Sequence, residues 1–402
     1  MRILIAGINY APEQIGIGPY TAGTAQALVD AGHEVEVLCA KAYYPEWKID
    51  PAYARPLYHR SVEEGVRITR CPLYVPRVDG GARRILHHAS FAAALAPAAI
   101  GAARRFKPDL VWALAPSLIA APVARLAARV AGARYWLHVQ DFEVEAALAT
   151  GLVEGRSLLA RLGAAFERAQ LAAPDRVSSI SPKMCERLAD KGVKPERIFE
   201  FRNWAEIDRI RPLERISAYR AEWGIATPHV ALYSGNIANK QGIEIVVEAA
   251  RRLRERGDLT FVICGEGPNR ARLEQACADL ANVRLFDLQP RERLGELLGL
   301  ASVHLLPQLA GAADLVLPSK LANMLASGRP VVATAAPGTG IANEIADCGI
   351  ATPPGDADGF AAALASLLDD PARAARLGAA ARKAAEQRWS RKEILARFST
   401  TV

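Results

Sequence analysis

Two hydrophobic rhythms alternate along the chain. Short β-rich runs fall at Arg2–Ala6, Glu34–Cys39, Val66–Arg70, Leu110–Leu114, Tyr135–Val139, Val177–Ile180 and Ile198–Phe201. Amphipathic stretches such as Tyr20–Ala31 and Leu118–Val130 lie between most of them. The pattern then restarts with Val230–Tyr233, Leu259–Cys264, Val283–Phe286, Val303–Leu306 and Val331–Thr334. Continuous apolar strands separated by helices predict parallel sheets covered on both faces. The restart predicts two tandem doubly wound, Rossmann-like α/β domains whose strand C-termini face a central cleft. NWAEIDRIRPLER, residues 203–215, is polar, carries a proline and has no strand pattern, so it reads as the break. The expected division is residues 1–205, residues 206–385 and a C-terminal helix at 386–402 crossing back to the first domain. Pro371 opens one tail helix and Ser390 caps a short one over 391–398.

The length of 402 residues suits two cores of about 200 each. A composition 51% hydrophobic and 23% charged is globular. Six scattered cysteines with no CxxC pair argue against a disulfide framework or a zinc site. MRILIAGINYAP enters a strand at once, so no signal peptide is expected, and no apolar run reaches about 18 residues, so neither is a spanning helix. Of the net charge of +7, +6 lies in residues 1–205. That bias suggests an anionic partner: a membrane surface, nucleic acid or a phosphorylated substrate.

The chemistry-bearing residues stand at strand ends. APEQIGIGPY, residues 11–20, places Gly16 and Gly18 before a helix that Pro19 can open and that carries Tyr20. A dinucleotide fingerprint would need a third glycine where Thr21 stands, and an acidic residue where Cys39-Ala40-Lys41 stands. HVQDFEVE, residues 138–145, puts His138 and Gln140 on one strand face and Asp141 at the strand end, with Glu143 and Glu145 beyond. Asp141 can orient a sugar hydroxyl, act as a base, or simply cap a following helix. In the second half, LYSGNIANKQGIE presents Ser234, Gly235, Asn236 and Lys240 between a strand and a helix. VICGEGPNR presents Gly265, Glu266 and Gly267. LVLPSKLANMLASGRPVVA presents Pro318, Ser319, Lys320, Leu321 and Asn323. Backbone N–H groups, a helix start capped by Ser319 and a lysine suit a phosphate, and Asn323 suits a ribose hydroxyl. The three loops together point to a nucleotide diphosphate. Asp356-x-Asp358 resembles a metal-binding DxD, but it precedes FAAALASLL and reads as a helix cap, so no metal is expected.

PEQIGIGPY, HVQDFE, LYSGNIANKQGIE, VICGEGP and LVLPSKLANMLASGRPVVA, in that order, resemble family 4 of the GT-B-fold glycosyltransferases, in the WcaI-like branch of exopolysaccharide biosynthesis. The resemblance covers nearly the whole chain. It implies metal-independent retaining transfer from a UDP- or GDP-sugar, of fucose type in this branch, to a polyprenyl-diphosphate-linked saccharide. It implies no cofactor beyond that co-substrate and no nucleic-acid partner, at the inner face of the cytoplasmic membrane. The donor would sit on the C-terminal domain, Leu288 and Leu321 among its neighbours. The acceptor or sugar loop would include Gly16, Gly18 and Tyr20, with Asp141, His138 and Gln140 near the chemistry.

Three departures stand out. The family's glutamate pair falls here at Leu315 and Asn323. Asn236 and Gln241 stand where many members have Arg and Lys, with Lys240 one place early. Gln140 occupies the usual histidine position, two residues from His138. A sugar-nucleotide epimerase of the same fold and a non-catalytic nucleotide-sugar-binding subunit are the alternatives. The stretch 83–107, with Arg83 and Arg84 at one end and Arg104, Arg105 and Lys107 at the other, is the expected contact with an anionic membrane, and Pro97 is expected to break its middle.

Overall fold

Strands β1 Arg2–Ala6, β2 Glu34–Ala40, β3 His59–Glu63, β4 Val66–Cys71, β5 Leu110–Ala115, β6 Arg134–Val139, β7 Arg176–Ser179 and β8 Ile198–Glu200 form one sheet. Its order is β3-β4-β2-β1-β5-β6-β7-β8. Strands β9 His229–Ser234, β10 Leu259–Cys264, β11 Val283–Phe286, β12 Val303–Leu306, β13 Val331–Thr334 and β14 Gly349–Thr352 form a second, ordered β11-β10-β9-β12-β13-β14. The computed structural model describes residues 1–14, 16–55, 57–77, 80–145, 158–237, 241–310 and 317–402. Every apolar run read as a strand is one, because β5, β10, β12 and β13 are buried at each position. All described pairings are parallel except β3 with β4.

The chain divides into two units, Met1–Arg202 with Leu395–Val402, and Asn203–Ile394. Each sheet reverses its winding once, between β1 and β5 in the first and between β9 and β12 in the second. These are the places where doubly wound sheets open a crevice beyond the strand C-termini.

Two strands lie outside the sequence reading. Strand β3 is an exposed edge strand that turns into β4 through Glu64 and Gly65, both with positive φ. A tight hairpin turn demands that conformation, and Glu-Gly signals it less clearly than Asn-Gly or Asp-Gly. Strand β14 is a short, partly exposed edge.

The helix Gly81–Phe106 corrects two expectations. It runs unbroken through Pro97, and the Tyr58 hydroxyl donates to the Ala94 carbonyl oxygen at 2.6 Å in the interrupted turn. It is also long and apolar enough by composition to cross a membrane, although no such helix was expected. Yet Phe91, Leu95, Ala99, Ala102, Ala103 and Phe106 are buried, as befits a layer covering a sheet. Ile85 and Leu86 are its large apolar side chains left exposed. Arg105 pairs with Glu36 at 2.5 Å.

The last helix, Arg391–Thr401, outruns its expected end, and its Phe398 ring lies 5.0, 5.1 and 4.4 Å from those of Trp112, Trp136 and Phe201. Phe398→Ala should therefore cost the first unit about 3–5 kcal/mol, read as an earlier urea midpoint. An unmoved midpoint would show that the ring packs on nothing that matters to folding.

Candidate functional site

In the second unit, the loops leaving β9 and β10 are laced to each other. Gly235 N–H donates to Cys264 O at 3.0 Å, Ile237 N–H to Glu266 O at 2.8 Å, and Asn269 N–H to Ile237 O at 3.1 Å. Gly265 N–H donates to Phe286 O at 3.0 Å. A Cβ on Gly265 would stand 1.9 Å from Gly235 O, and one on Gly267 2.4 Å from Ile237 O. Glycine is required here by close backbone approach, with φ of +157° and +155°. This corrects the reading of these N–H groups as a phosphate cradle. Those of Gly235, Ile237 and Gly265 are spent on the lacing.

What the lacing positions is Lys320. Its stem is partly exposed, but its Nζ is buried and has no hydrogen-bond partner among the described residues. The nitrogen sits 4.1 Å from the centroid of the Tyr233 ring, and a Cβ on Gly235 would crowd it at 3.4 Å. Tyr233 is itself buried and donates its hydroxyl to Asn236 O at 2.6 Å. Burial pushes the Lys320 ammonium down to about 7, so the site holds an amine ready to become charged beside an anion.

Ser319 differs from its expected role. Pro318 occupies the N-cap position of the helix Ser319–Ala326, Ser319 is its first residue, and no side chain caps it. An uncapped helix start beside a lysine favours an anion. Asn323 accepts from Glu206 N–H at 3.3 Å, so its oxygen anchors the segment after the unit boundary. Leu321 is a core residue, Glu266 and Leu288 are exposed, and Ser234 is buried. Lys240 and Leu315 lie outside the described residues. Asp356 accepts from Gly359 N–H at 2.8 Å, the cap the sequence suggests, and Asp358 pairs with Arg252 at 2.5 Å.

In the first unit, Gln140 N–H donates to Ala115 O at 2.9 Å, which carries Gln140 and Asp141 to the sheet's C-terminal edge beside Pro116-Ser117. A Cβ on Gly16 would meet the Tyr44 ring at 3.5 Å. Burial, then the charge of Glu13 and more weakly that of Asp141, raise the Tyr44 phenol. Gly16, Tyr44 and Asp141 are thus gathered at one place. Gly18 opens the helix Gly18–Asp30, which carries Tyr20, and packs on Glu13.

Two carboxylates, Glu13 buried and Glu143 half-buried, shape this edge, and the sequence reading assigned neither a role. Glu13 accepts from Asn9 Nδ2 at 2.8 Å and from the N–H groups of Tyr43 and Tyr44 at 3.0 and 3.1 Å. Glu143 accepts from Ser117 N–H at 2.7 Å and Leu118 N–H at 2.6 Å. It thereby holds Ser117 in the left-handed region, φ +82°, with its buried Oγ unpartnered. His138 is buried and neutral, its imidazolium disfavoured by burial to about 3.

Among the described residues no cluster of three or more His, Cys, Asp or Glu could hold a metal ion. The protein is thus built of two Rossmann-like units, one with a buried lysine nitrogen at its sheet's C-terminal edge and the other with carboxylate-held loops at its own. Residues 16–204 match the family model "Glycosyl transferase 4-like domain", and residues 216–384 match "Glycosyl transferases group 1". The fold matches sucrose-phosphate synthase from Thermosynechococcus elongatus with TM-score 0.77 at 19% identity, over 100% of this chain and 98% of that one. It also matches Anabaena HepE in complex with UDP, TM-score 0.73 at 16% identity, over 100% and 99%. The colanic acid biosynthesis glycosyl transferase WcaI of Escherichia coli K12 is 44% identical over 83% of each chain. The chain therefore belongs to the family 4 glycosyltransferases of GT-B fold, and it is a glycosyltransferase of the exopolysaccharide type. These matches lend no support to the epimerase or the non-catalytic alternative.

Desolvation of Lys320 makes a prediction for the protein alone. Its folded pKa of about 7 lies below the ordinary 10.5, so the unfolded chain binds more protons between those values. Stability should rise with pH across that window, and Lys320→Met should flatten the rise. Urea midpoints at about pH 7 and 9 measure it. Equal slopes in parent and variant would mean the ammonium is solvated.

Proposed function

We propose that the protein transfers a hexose-type sugar from a UDP- or GDP-sugar to a polyprenyl-diphosphate-linked saccharide, with retention and without metal. The observation that carries this is the buried Lys320 Nζ, unpartnered among the described residues at an uncapped helix start beside the β9 end. A diphosphate there would supply the missing hydrogen-bond acceptors and raise the lysine's pKa. The resulting ammonium stabilises the negative charge that grows on the departing nucleotide. HepE binding UDP at the same fold, and the exopolysaccharide role of WcaI, support the donor and pathway class. A fucose-type donor follows the branch. The acceptor would use the first unit's edge, where Asp141 orients its hydroxyl.

The donor is tested by thermal shift across UDP-, GDP- and ADP-sugars. One nucleotide class should stabilise the parent, and Lys320→Ala should bind it about 1–3 kcal/mol more weakly. Unchanged affinity would remove Lys320 from the donor site. Asp141→Asn should retain the melting temperature within a few degrees and lose roughly a hundredfold in turnover. Early melting with an undiminished rate per folded molecule would make Asp141 a structural cap.

The acceptor class requires an approach to a bilayer. We assign it to the start of the helix Gly81–Phe106, where exposed Ile85 and Leu86 adjoin Arg83. The protein would then work in the cytoplasm, peripheral to the inner face of the membrane. Sedimentation with vesicles should require anionic lipid and weaken with salt. It should also fall when Ile85 and Leu86 become Ser and Arg83 and Arg104 become Gln. A variant sedimenting like the parent would place the contact elsewhere.

A further inference from the structure

Strand β3 ends the first unit's sheet, and β4 is its sole ladder partner among the described residues. The pairing is antiparallel, with Glu63 opposite Val66 at the turn. Glu64 and Gly65 have φ of +48° and +83°, the geometry of a two-residue type I′ turn. Such a turn is closed by a hydrogen-bonded pair, so Glu63, Ser61 and His59 spend their N–H and C=O groups on β4. Arg60 and Val62, at the alternate positions, aim theirs outward. No further backbone hydrogen bond reaches this edge among the described residues. The side chains are open as well. His59, Arg60, Val62, Glu63 and Glu64 are exposed, Val62 to 70%, and Ser61 is half-buried. Exposure at successive positions means that neither face of β3 lies under a helix.

Exposed edges are commonly blunted by charge, often a lysine. This edge carries both signs in order, Arg60 near its start and Glu63 and Glu64 at its end. A strand with that gradient meets like charge when it pairs with a parallel copy of itself and opposite charge when it pairs with an antiparallel one. The outward groups of Arg60 and Val62 restrict the antiparallel registers. Centring on Arg60 sets two arginines face to face. Centring on Val62 brings Arg60 against the turn, where regular pairing ends. Centring on Ser61 sets Arg60 opposite Val62 on both sides of the axis, so both residues exchange both their main-chain bonds. It also lays each Arg60 on the diagonal from Glu64 of the other copy.

We propose that β3 pairs antiparallel with β3 of a second copy of this chain, about a two-fold axis at Ser61, joining two sheets edge to edge. A contact of this kind is self-complementary and closes at two copies. The strand is short, so the contact is small and association depends on concentration. It uses no residue of the donor or acceptor sites and holds whichever sugar is transferred.

Sedimentation velocity on the full-length protein tests it from about 1 to 200 µM, where a small interface associates. The parent should move from one chain to two, and less so as salt rises. Arg60→Glu makes the edge acidic throughout and should weaken association at least about tenfold, because symmetry counts each contact twice. Glu64→Lys should do the same. The two together should restore association to within about threefold, because the gradient is then reversed and not lost. Both single variants should melt with the parent. Val62→Pro should abolish pairing, since it removes an outward N–H while the β3–β4 ladder keeps its bonds. A parent that stays a single chain throughout overturns the proposal, as does a dimer indifferent to Arg60→Glu and Val62→Pro. Assemblies that grow beyond two chains would give the contact to the sheet's other edge, β8, and also overturn it. So would a monomer whose sedimentation with anionic vesicles falls in Arg60→Glu, which would assign the edge to lipid.

Discussion

The second unit is organised around a buried lysine nitrogen that has no hydrogen-bond acceptor among the described residues. Lys320 Nζ rests on the face of Tyr233, which returns part of the lost hydration through its π-electrons. Gly235, whose φ of +143° favours glycine, lies directly against it. Gly235 in turn is held by the loop after β10, where Gly265 approaches its backbone and Gly267 that of Ile237 more closely than any side chain permits. A lysine kept desolvated and near neutrality is costly to stability and useful only if an anion arrives. Strain of this kind is expected at sites where a ligand completes the structure.

The first unit solves a different problem, with carboxylates in place of a cation. Buried Glu13 and half-buried Glu143 each accept a pair of backbone N–H groups from a loop that would otherwise need secondary structure to satisfy it. Glu143 forces Ser117 into a conformation that most residues avoid. The loops at the C-terminal edge are therefore fixed before any substrate binds. Fixed loops hold Asp141 and Gln140 in a defined relation to Tyr44 and Gly16, as orientation-dependent catalysis requires.

Much of this was legible in residues. Lys320 stands in the first turn of an apolar-faced helix just after a proline, and that local order suffices to mark it. Gly265 and Gly267 were legible as necessary glycines, though for the wrong reason. The chain shows that backbone must come close, not whether it approaches a phosphate or another loop. Asp356 was readable as a cap because its partner, Gly359, is a turn away. Glu143 was not readable, because the N–H groups it accepts lie 26 and 25 residues back and carry no side-chain signature. The Trp136–Ser178 bond spans 42 positions and joins neighbouring strands, so it is set by sheet order alone. Pro97 misled because a helix packed along its length on a sheet can tolerate one missing bond.

The central claim is that a nearly neutral Lys320 becomes charged when it meets a nucleotide diphosphate. Proton uptake on UDP or GDP binding measures this directly, from calorimetric titrations at about pH 8 in buffers of different ionisation enthalpy. With a starting pKa of about 7, the parent should take up close to one proton, and Lys320→Ala should take up none from this source. Binding without proton uptake in the parent, or the same uptake in both proteins, would contradict the account.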